Sequence, residues 1–468
     1  MVNGRTLIPS PELLRRYDRP GPRYTSYPAA PRFQEAFGET QLRESIAASN
    51  GDPIPRRLSL YVHVPFCSSP CFYCGCNRVI TRDLARGERY IAHLQREIDL
   101  VAPLFDRDRE VVQLHFGGGT PNFLSPEQLD VVVRTLHRHF RFSEARDRDI
   151  SIELDPRFVS PEQVAGLAAI GFNRASLGVQ DFDPAVQAAV NRIQSVEQTV
   201  AVVDACRAHG FRSVNIDLIY GLPLQTLEGF SRTLDQVIAI RPDRLAVYSY
   251  AHLPELFKPQ RQIDAAQIPD AETKLALLQL SIRRLMDAGY VYIGMDHFAL
   301  PDDELAQAQA RGGLHRNFMG YTTHADSDLA GFGVSAISRI GDSYSQNHRD
   351  LPSWEAALDA DRLPVWRGLR LSEDDQLRAD LIQQLMCQGE IPVAALERRY
   401  GIRFDLYFAD ALAHLQPLAE DGLVQIEPGR AIRVRPLGRL LLRNIAMCFD
   451  RYLHAADTVA RPRFSRAI

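Results

Sequence analysis

No stretch of this chain is an uninterrupted apolar run of membrane-spanning length, so nothing in it reads as a transmembrane helix. The first thirty residues also lack an apolar core of signal-peptide length, which sets the expectation of a cytoplasmic protein with no membrane partner. A surplus of one charge is missing as well. Lys and Arg number 54 against 58 Asp and Glu, for a formal charge of −4, so the chain has no polyanion-seeking excess and no nucleic-acid partner is expected. With 45% hydrophobic and 24% charged residues, the 468-residue chain lacks the bias of a long disordered segment. Its length predicts about two to four domains.

Cysteine is scarce, and its placement is uneven. Of seven cysteines, Cys67, Cys71, Cys74 and Cys76 crowd into ten residues, while Cys206, Cys387 and Cys448 lie alone in segments of helical pattern. In a reducing compartment cysteines read as ligands, nucleophiles or core residues before disulfides. The three isolated ones read as small core hydrophobes.

Between residues 58 and 296, short β-branched runs alternate with longer helical patterns, the rhythm of βα units on a parallel sheet. Expected strands are 58–64, 111–116, 149–154, 173–177, 213–219, 244–250 and 290–294. Expected helices include 88–104, 126–139, 196–209 and 271–288. This predicts an α/β fold, a whole or partial β/α barrel, with an N-terminal arm over 1–55, the barrel over 56–350 and a small, mainly helical domain over 365–468. The arm cannot be a regular helix where Pro20, Pro22 and Pro28 crowd the run Arg19 to Pro28. Near residues 422–434 the pattern suggests a pair of short strands.

Such barrels build their sites from loops at the carboxyl ends of the strands. The unusual residues fall there repeatedly: the cysteine cluster after the first strand, Gly117 to Pro121 after the second, Glu153-Leu-Asp155-Pro156 at the third, and Gly178-Val-Gln180-Asp181 at the fourth. Asn215 and Asp217 lie within the fifth, and Ala251-His252 follows the sixth.

Three thiolates spaced CxxxCxxC can wrap a compact metal site but do not complete tetrahedral zinc. A [4Fe–4S] cluster on Cys67, Cys71 and Cys74 leaves one iron open to bind a small molecule and pass it an electron. Structural zinc with Cys76 or His63 as fourth ligand, and a redox dithiol at Cys71 and Cys74, are the alternatives.

CxxxCxxC with Tyr73 before the last cysteine, followed by the Gly-rich loop at Gly117, resembles the radical S-adenosylmethionine (SAM) superfamily. The strings PGPRYTSYP, CGCN, GFNRASLGVQDFD, VNIDLIYGLP, HRNFMGYTT and GFGVSAIS resemble the family of oxygen-independent coproporphyrinogen III oxidases, or dehydrogenases, over nearly the whole chain. The resemblance implies a SAM-dependent oxidoreductase of haem biosynthesis. It would convert two propionates of coproporphyrinogen III to vinyls, giving protoporphyrinogen IX, with a [4Fe–4S] cluster and two SAM molecules.

Carried onto this sequence, the resemblance implies Cys67, Cys71 and Cys74 as cluster ligands. Tyr61, Tyr73, Gly118, Glu153 and Ile337 become contacts to the SAM on the cluster, and Gly119, Thr120, Gln180, Arg192, Asp217 and Ala251 contacts to the second. Cys76, Tyr61 and Glu153 are implied in catalysis, Cys76 without being a cluster ligand. Arg23 and Tyr24 in the arm are candidate substrate contacts, since arginine can hold carboxylates bidentately. A reduced flavodoxin- or ferredoxin-type protein is the expected electron donor, and a monomer the expected state. His324-Ala325 stands where the family pattern has Gln-Gly. A haem chaperone of the same superfamily is the alternative, against which the CGCN loop and the RYTSYP arm both speak.

Overall fold

The computed structural model describes residues 10–325, 327–454 and 464, and they form two compact units. One unit, residues 33–268 with 327–370, carries all the strands of the expected parallel sheet except the last. These are β1 (Arg57–Val64), β2 (Glu110–Gly118), β3 (Asp149–Leu154), β4 (Arg174–Gln180), β5 (Ser213–Tyr220) and β6 (Arg244–Ser249). They hydrogen-bond in the order β6-β5-β4-β3-β2-β1, all parallel.

A seventh parallel strand, β7 (Ser327–Phe332), pairs with the other edge of β1, and β8 (Ile337–Ile340), β9 (Ser343–Asn347) and β10 (Val365–Arg370) continue from it antiparallel. Within this unit the order never returns on itself, so the barrel is partial. Parallel strands are covered on both faces, and Leu58, Leu60, Val62 and Val64 of β1 are fully buried together with Ser59 between them.

The crossover helices start where the sequence provides caps. In α1 (Pro126–His139), α2 (Pro161–Ile170) and α3 (Val196–Ala208), a serine just before the helix accepts the amide of a glutamine three residues on, whose side chain returns to the serine amide. Ser125, Ser160 and Ser195 with Gln128, Gln163 and Gln198 therefore repeat one capping box, satisfying amides that a helix start leaves orphaned.

The other unit takes residues 10–32, 269–325 and 371–454. It contains the helices Ala271–Asp287 and Glu373–Gln388, and a three-stranded antiparallel sheet of Glu390–Ile391, Ala431–Val434 and Val424–Glu427. Its core joins Leu381, Leu385, Leu415, Leu423, Ile445 and Phe449 to Leu14, Tyr17, Tyr24 and Tyr27 of the arm.

Two expectations change here. The strand expected at 290–294 is instead one side of an antiparallel hairpin, Val291–Gly294 against His297–Ala299, and the parallel position beside β1 goes to Ser327–Phe332. The division also departs from the boundaries 1–55, 56–350 and 365–468. The arm up to Arg32 shares a core with the C-terminal helices because its tyrosines and Leu14 are buried there, and 269–325 joins the same unit. Arg443 donates to the carbonyls of Gly21 and Pro22, and Asn444 to that of Tyr17, so the proline-rich backbone finds its partners in side chains. Cys206, Cys387 and Cys448 are buried core residues, as their isolation suggested.

Candidate active site at the carboxyl ends of the strands

Register places the site. Tyr61 of β1 sits between His115 of β2 and Gly331 of β7, His63 is opposite Gly117, and Val64 is opposite Gly118. Gly178 faces Asp217, which faces Ala246 on β6. The candidate residues in this unit therefore gather at one end of the sheet. Arg23 and Tyr24 lie in the other unit, where Arg23 is ion-paired with Asp296 and the Tyr24 hydroxyl donates to Asp450 at 3.0 Å. His324 is also in that unit, buried, with its amide donating to Thr322 Oγ1 at 3.1 Å.

The cysteine loop is pinned from several directions. Arg78 donates to the carbonyls of Cys71 and Cys74 at 3.2 Å and of Cys76 at 3.4 Å. Gln260 donates to the carbonyl of Tyr73 at 2.9 Å, and Asn191 to that of Pro70 at 2.6 Å. Each of the three spaced cysteines meets a donor of its own: Thr120 Oγ1 at 3.2 Å from Cys67, Arg192 Nη1 at 3.4 Å from Cys71, and the Cys76 amide at 3.4 Å from Cys74.

Burial pushes the Cys67 thiol up to about 11. The hydrogen bond from Cys76 outweighs burial at Cys74 and pulls it down to about 6. Cys76 is itself raised, and since the residue is exposed we assign this to the Cys74 contact.

Three thiols that each face an N–H or O–H donor fit the ligand set of an iron–sulfur cluster. His63 is committed elsewhere, with Nδ1 3.0 Å from the Tyr61 hydroxyl and Nε2 3.0 Å from the Asn77 carbonyl. Three thiols, each facing an N–H or O–H donor, match the ligand set of a cluster whose fourth iron stays open.

The surroundings also fit a polar ligand beside those thiols. Gln180 Oε1 and Arg192 Nε are buried without a partner in the protein, and buried polar atoms are ordinarily satisfied. Gly118 adopts φ +117°, and a Cβ on Gly117 would come 3.0 Å from Glu153 Oε1, so the glycine run leaves open backbone where side chains would crowd the site.

Around Tyr61 the polar groups form one connected set. Its ring stacks on His115 at 5.9 Å, and His115 contacts Ser151 Oγ at 2.7 Å and Glu153 Oε1 at 3.4 Å. Glu153 Oε2 accepts the Gly118 amide at 3.2 Å. Burial raises the Tyr61 phenol far above its ordinary value, so it stays protonated. Burial also raises Asp217 to about 6, while Asn215 and Ser176 donate to it at 2.8 and 3.2 Å.

Sequence reasoning placed Asp155 at a strand end but gave it no role, and did not single out Arg157. Asp155 is the hub of the cysteine side of the site. Burial works against its charge, yet Arg192 and Arg157 hold its carboxyl below the usual range. The signal available was its position immediately beyond β3, two residues before an arginine.

A parallel sheet with a three-cysteine loop after its first strand and a glycine run after the second defines the radical SAM class, and the radical SAM superfamily model matches residues 61–237. The model of the HemN C-terminal domain matches residues 371–441. The chain belongs to the family of oxygen-independent coproporphyrinogen III oxidases, within that superfamily. The Pseudomonas aeruginosa oxygen-independent coproporphyrinogen III oxidase is 50% identical over 457 residues, 98% of each chain. The Escherichia coli protein of that name is 48% identical over 97% of this chain and 98% of its own. A solved structure of coproporphyrinogen III oxidase from Escherichia coli, described as a radical SAM enzyme, superimposes with a TM-score of 0.90. It shares 47% identity and covers 95% of this chain and 100% of that one. Among the described residues, no helix is long and apolar enough to cross a membrane.

Proposed function

We propose that this protein oxidatively decarboxylates two propionate side chains of coproporphyrinogen III to vinyl groups, giving protoporphyrinogen IX in haem biosynthesis. Identity of 48–50% over nearly the whole chain to relatives named for this oxidase carries the reading, together with the three cysteines of the CxxxCxxC loop that each face a hydrogen-bond donor. A [4Fe–4S] cluster with SAM would supply, when bound, an electron that cleaves SAM and a carbon-centred radical that takes a hydrogen atom from the propionate; loss of carbon dioxide and of one electron to a one-electron acceptor then leaves the vinyl group.

The chain's part is to bind, orient and shield. Cys67, Cys71 and Cys74 hold the cluster, and Tyr61, Tyr73, Gly118, Glu153 and Ile337 hold the SAM beside it. Gly119, Thr120, Gln180, Arg192, Asp217 and Ala251 hold a second SAM, one for each propionate. Asp217, whose carboxyl burial pushes up to about 6, can accept from hydroxyl or ammonium donors in its ionised form. Protonated Tyr61 donates, and Cys76 stands one residue beyond Gly75 as a non-ligand thiol at the reacting end. Arg23 and Tyr24 of the arm contribute to substrate binding. A reduced flavodoxin- or ferredoxin-type protein delivers the electron to a monomer in the cytoplasm.

The test is an anaerobic assay of reconstituted protein with SAM, dithionite and coproporphyrinogen III, beside Cys71→Ser. Vinyl-bearing porphyrin that disappears in the variant supports the reading. Stoichiometric haem binding with an unchanged porphyrinogen would move the assignment to a haem chaperone.

A further inference from the structure

The three cluster cysteines stand in unequal electrostatic surroundings. Asp155 lies between two guanidiniums: Arg157 reaches it with Nη2 at 2.7 Å and Nε at 3.0 Å, and Arg192 with Nη1 at 3.1 Å. Both arginines continue to the same sulfur, Arg192 Nη1 at 3.4 Å and Arg157 Nη2 at 3.6 Å from Cys71 Sγ. The side chains are nearly closed to water, with exposures of 10% for Arg157 and 7% for both Asp155 and Arg192. One carboxylate against two guanidiniums leaves one positive charge over at Cys71. Cys67 instead takes the neutral hydroxyl of Thr120 and Cys74 a backbone amide, and the guanidinium of Arg78, whose charge also acts on both, donates to loop carbonyls and to no sulfur.

Hydrogen bonds to cluster sulfurs and nearby charge are the protein's levers on an iron–sulfur potential. One-electron reduction makes a cluster and its thiolates more negative. A cation in contact with a ligand sulfur therefore stabilises the reduced form, and an N–H···S bond draws electron density off that sulfur. Screening is weak at this burial.

We propose that Arg157, held in place by Asp155, raises the reduction potential of the cluster through its contact with Cys71. The inference rests on the reading that Cys67, Cys71 and Cys74 carry a cluster, and it adds a residue whose task is electron acceptance rather than SAM binding. Arg192 shares the contact but also donates to the Gly178 carbonyl and is assigned to the second SAM, so Arg157 isolates the effect.

The experiment is an anaerobic redox titration of the reconstituted full chain without SAM or porphyrinogen, following visible absorbance and the paramagnetic signal of the reduced cluster. Iron and sulfide content are measured on the same samples. Arg157→Gln is expected to bind as much iron as the parent protein and to titrate at a more negative potential, with Arg157→Lys in between. Variants that hold full iron and titrate at the parent potential overturn the proposal and leave Arg157 as a counter-ion to Asp155 alone. If Arg157→Gln does not retain iron, Arg157→Lys decides by the same criterion. A parent protein that assembles no cluster strikes the proposed function itself, which keeps the two failures apart.

Discussion

The hydroxyl of Tyr90 donates to the carbonyl of His63 at 2.6 Å and accepts the amide of Val334 at 3.2 Å. One side chain of the helix Ala85–Val101 thus ties the end of β1, which carries Tyr61 and His63, to the turn that leads into Ile337. Glu97, two turns further along that helix, completes the joint by accepting the Gly333 amide at 2.7 Å, Asn347 at 2.6 Å and the Trp354 indole at 3.2 Å. Tyr90 stacks on Trp354 at 4.8 Å, sealing the joint from water.

Removing that hydroxyl leaves a buried carbonyl and a buried amide without their partner. Tyr90→Phe is expected to destabilise the protein by about 1–3 kcal/mol, read as a lower denaturant midpoint at unchanged slope. The KM for SAM should rise as well, because both ends of the joint carry residues assigned to SAM or its neighbours. An unchanged KM would show that the turn is held without Tyr90.

Glu97 makes a pH prediction with a definite sign. Burial raises its carboxyl from 4.5 to about 7. The folded state then binds more protons than the unfolded state between those values, and stability falls as pH rises through the window, by up to about 3 kcal/mol. Glu97→Gln should lack this component, so the stability difference between variant and parent should drift from pH 4.5 to 7 and level off above it. Equilibrium unfolding at a series of pH values checks this, and parallel curves for the two proteins would contradict it.

The strands of the sheet were legible because their patterns are strong. The segment 149–154 and the helix 126–139 were read to the residue. The strand Ser327–Phe332 was not legible, since Ser-Asp-Leu-Ala-Gly-Phe is half polar and small. Its fully buried Asp328 pairs with Arg109 at 2.7 Å, a partner more than two hundred residues away, and accepts from the Ser49 hydroxyl at 2.5 Å and the Gly341 amide at 3.0 Å. In the candidate site, the cysteines, the glycine run and Glu153 were named from local motifs, and β1, β2 and β3 place Gly117, Gly118 and Glu153 near the carboxyl ends of their strands. Asp155, Arg157, Tyr90 and Glu97 act through tertiary contacts, which no local spacing announces.

The glycine run admits a packing test. A Cβ on Gly119 would lie 2.7 Å from the main chain of Pro65 and 2.9 Å from the Phe66 carbonyl, while Gly119 and Thr120 donate to Val64 and Phe66 at 2.8 Å. Backbone cannot swing aside as a side chain does, so Gly119→Ala should cost about 1–3 kcal/mol and displace Thr120 from Cys67, lowering iron retention. Gly313→Ala, where a Cβ meets nothing within 4 Å, is the control expected to leave iron content unchanged.

The two kinds of cysteine should separate cleanly. Cys76→Ser is expected to retain parent-level iron yet lose most vinyl formation, whereas Cys71→Ser should lose iron and activity together. Iron analysis beside product fluorescence gives the answer. Loss of iron in Cys76→Ser would make Cys76 a ligand and revise the assignment.

The most direct measurement uses coproporphyrinogen III deuterated at the β-carbons of its propionates. With SAM and reductant under anaerobic conditions, the 5′-deoxyadenosine formed should carry one deuterium, and about two molecules should appear per protoporphyrinogen IX. Unlabelled 5′-deoxyadenosine alongside vinyl product, or cleavage of SAM with the propionates intact, would contradict hydrogen abstraction from the propionate by this protein.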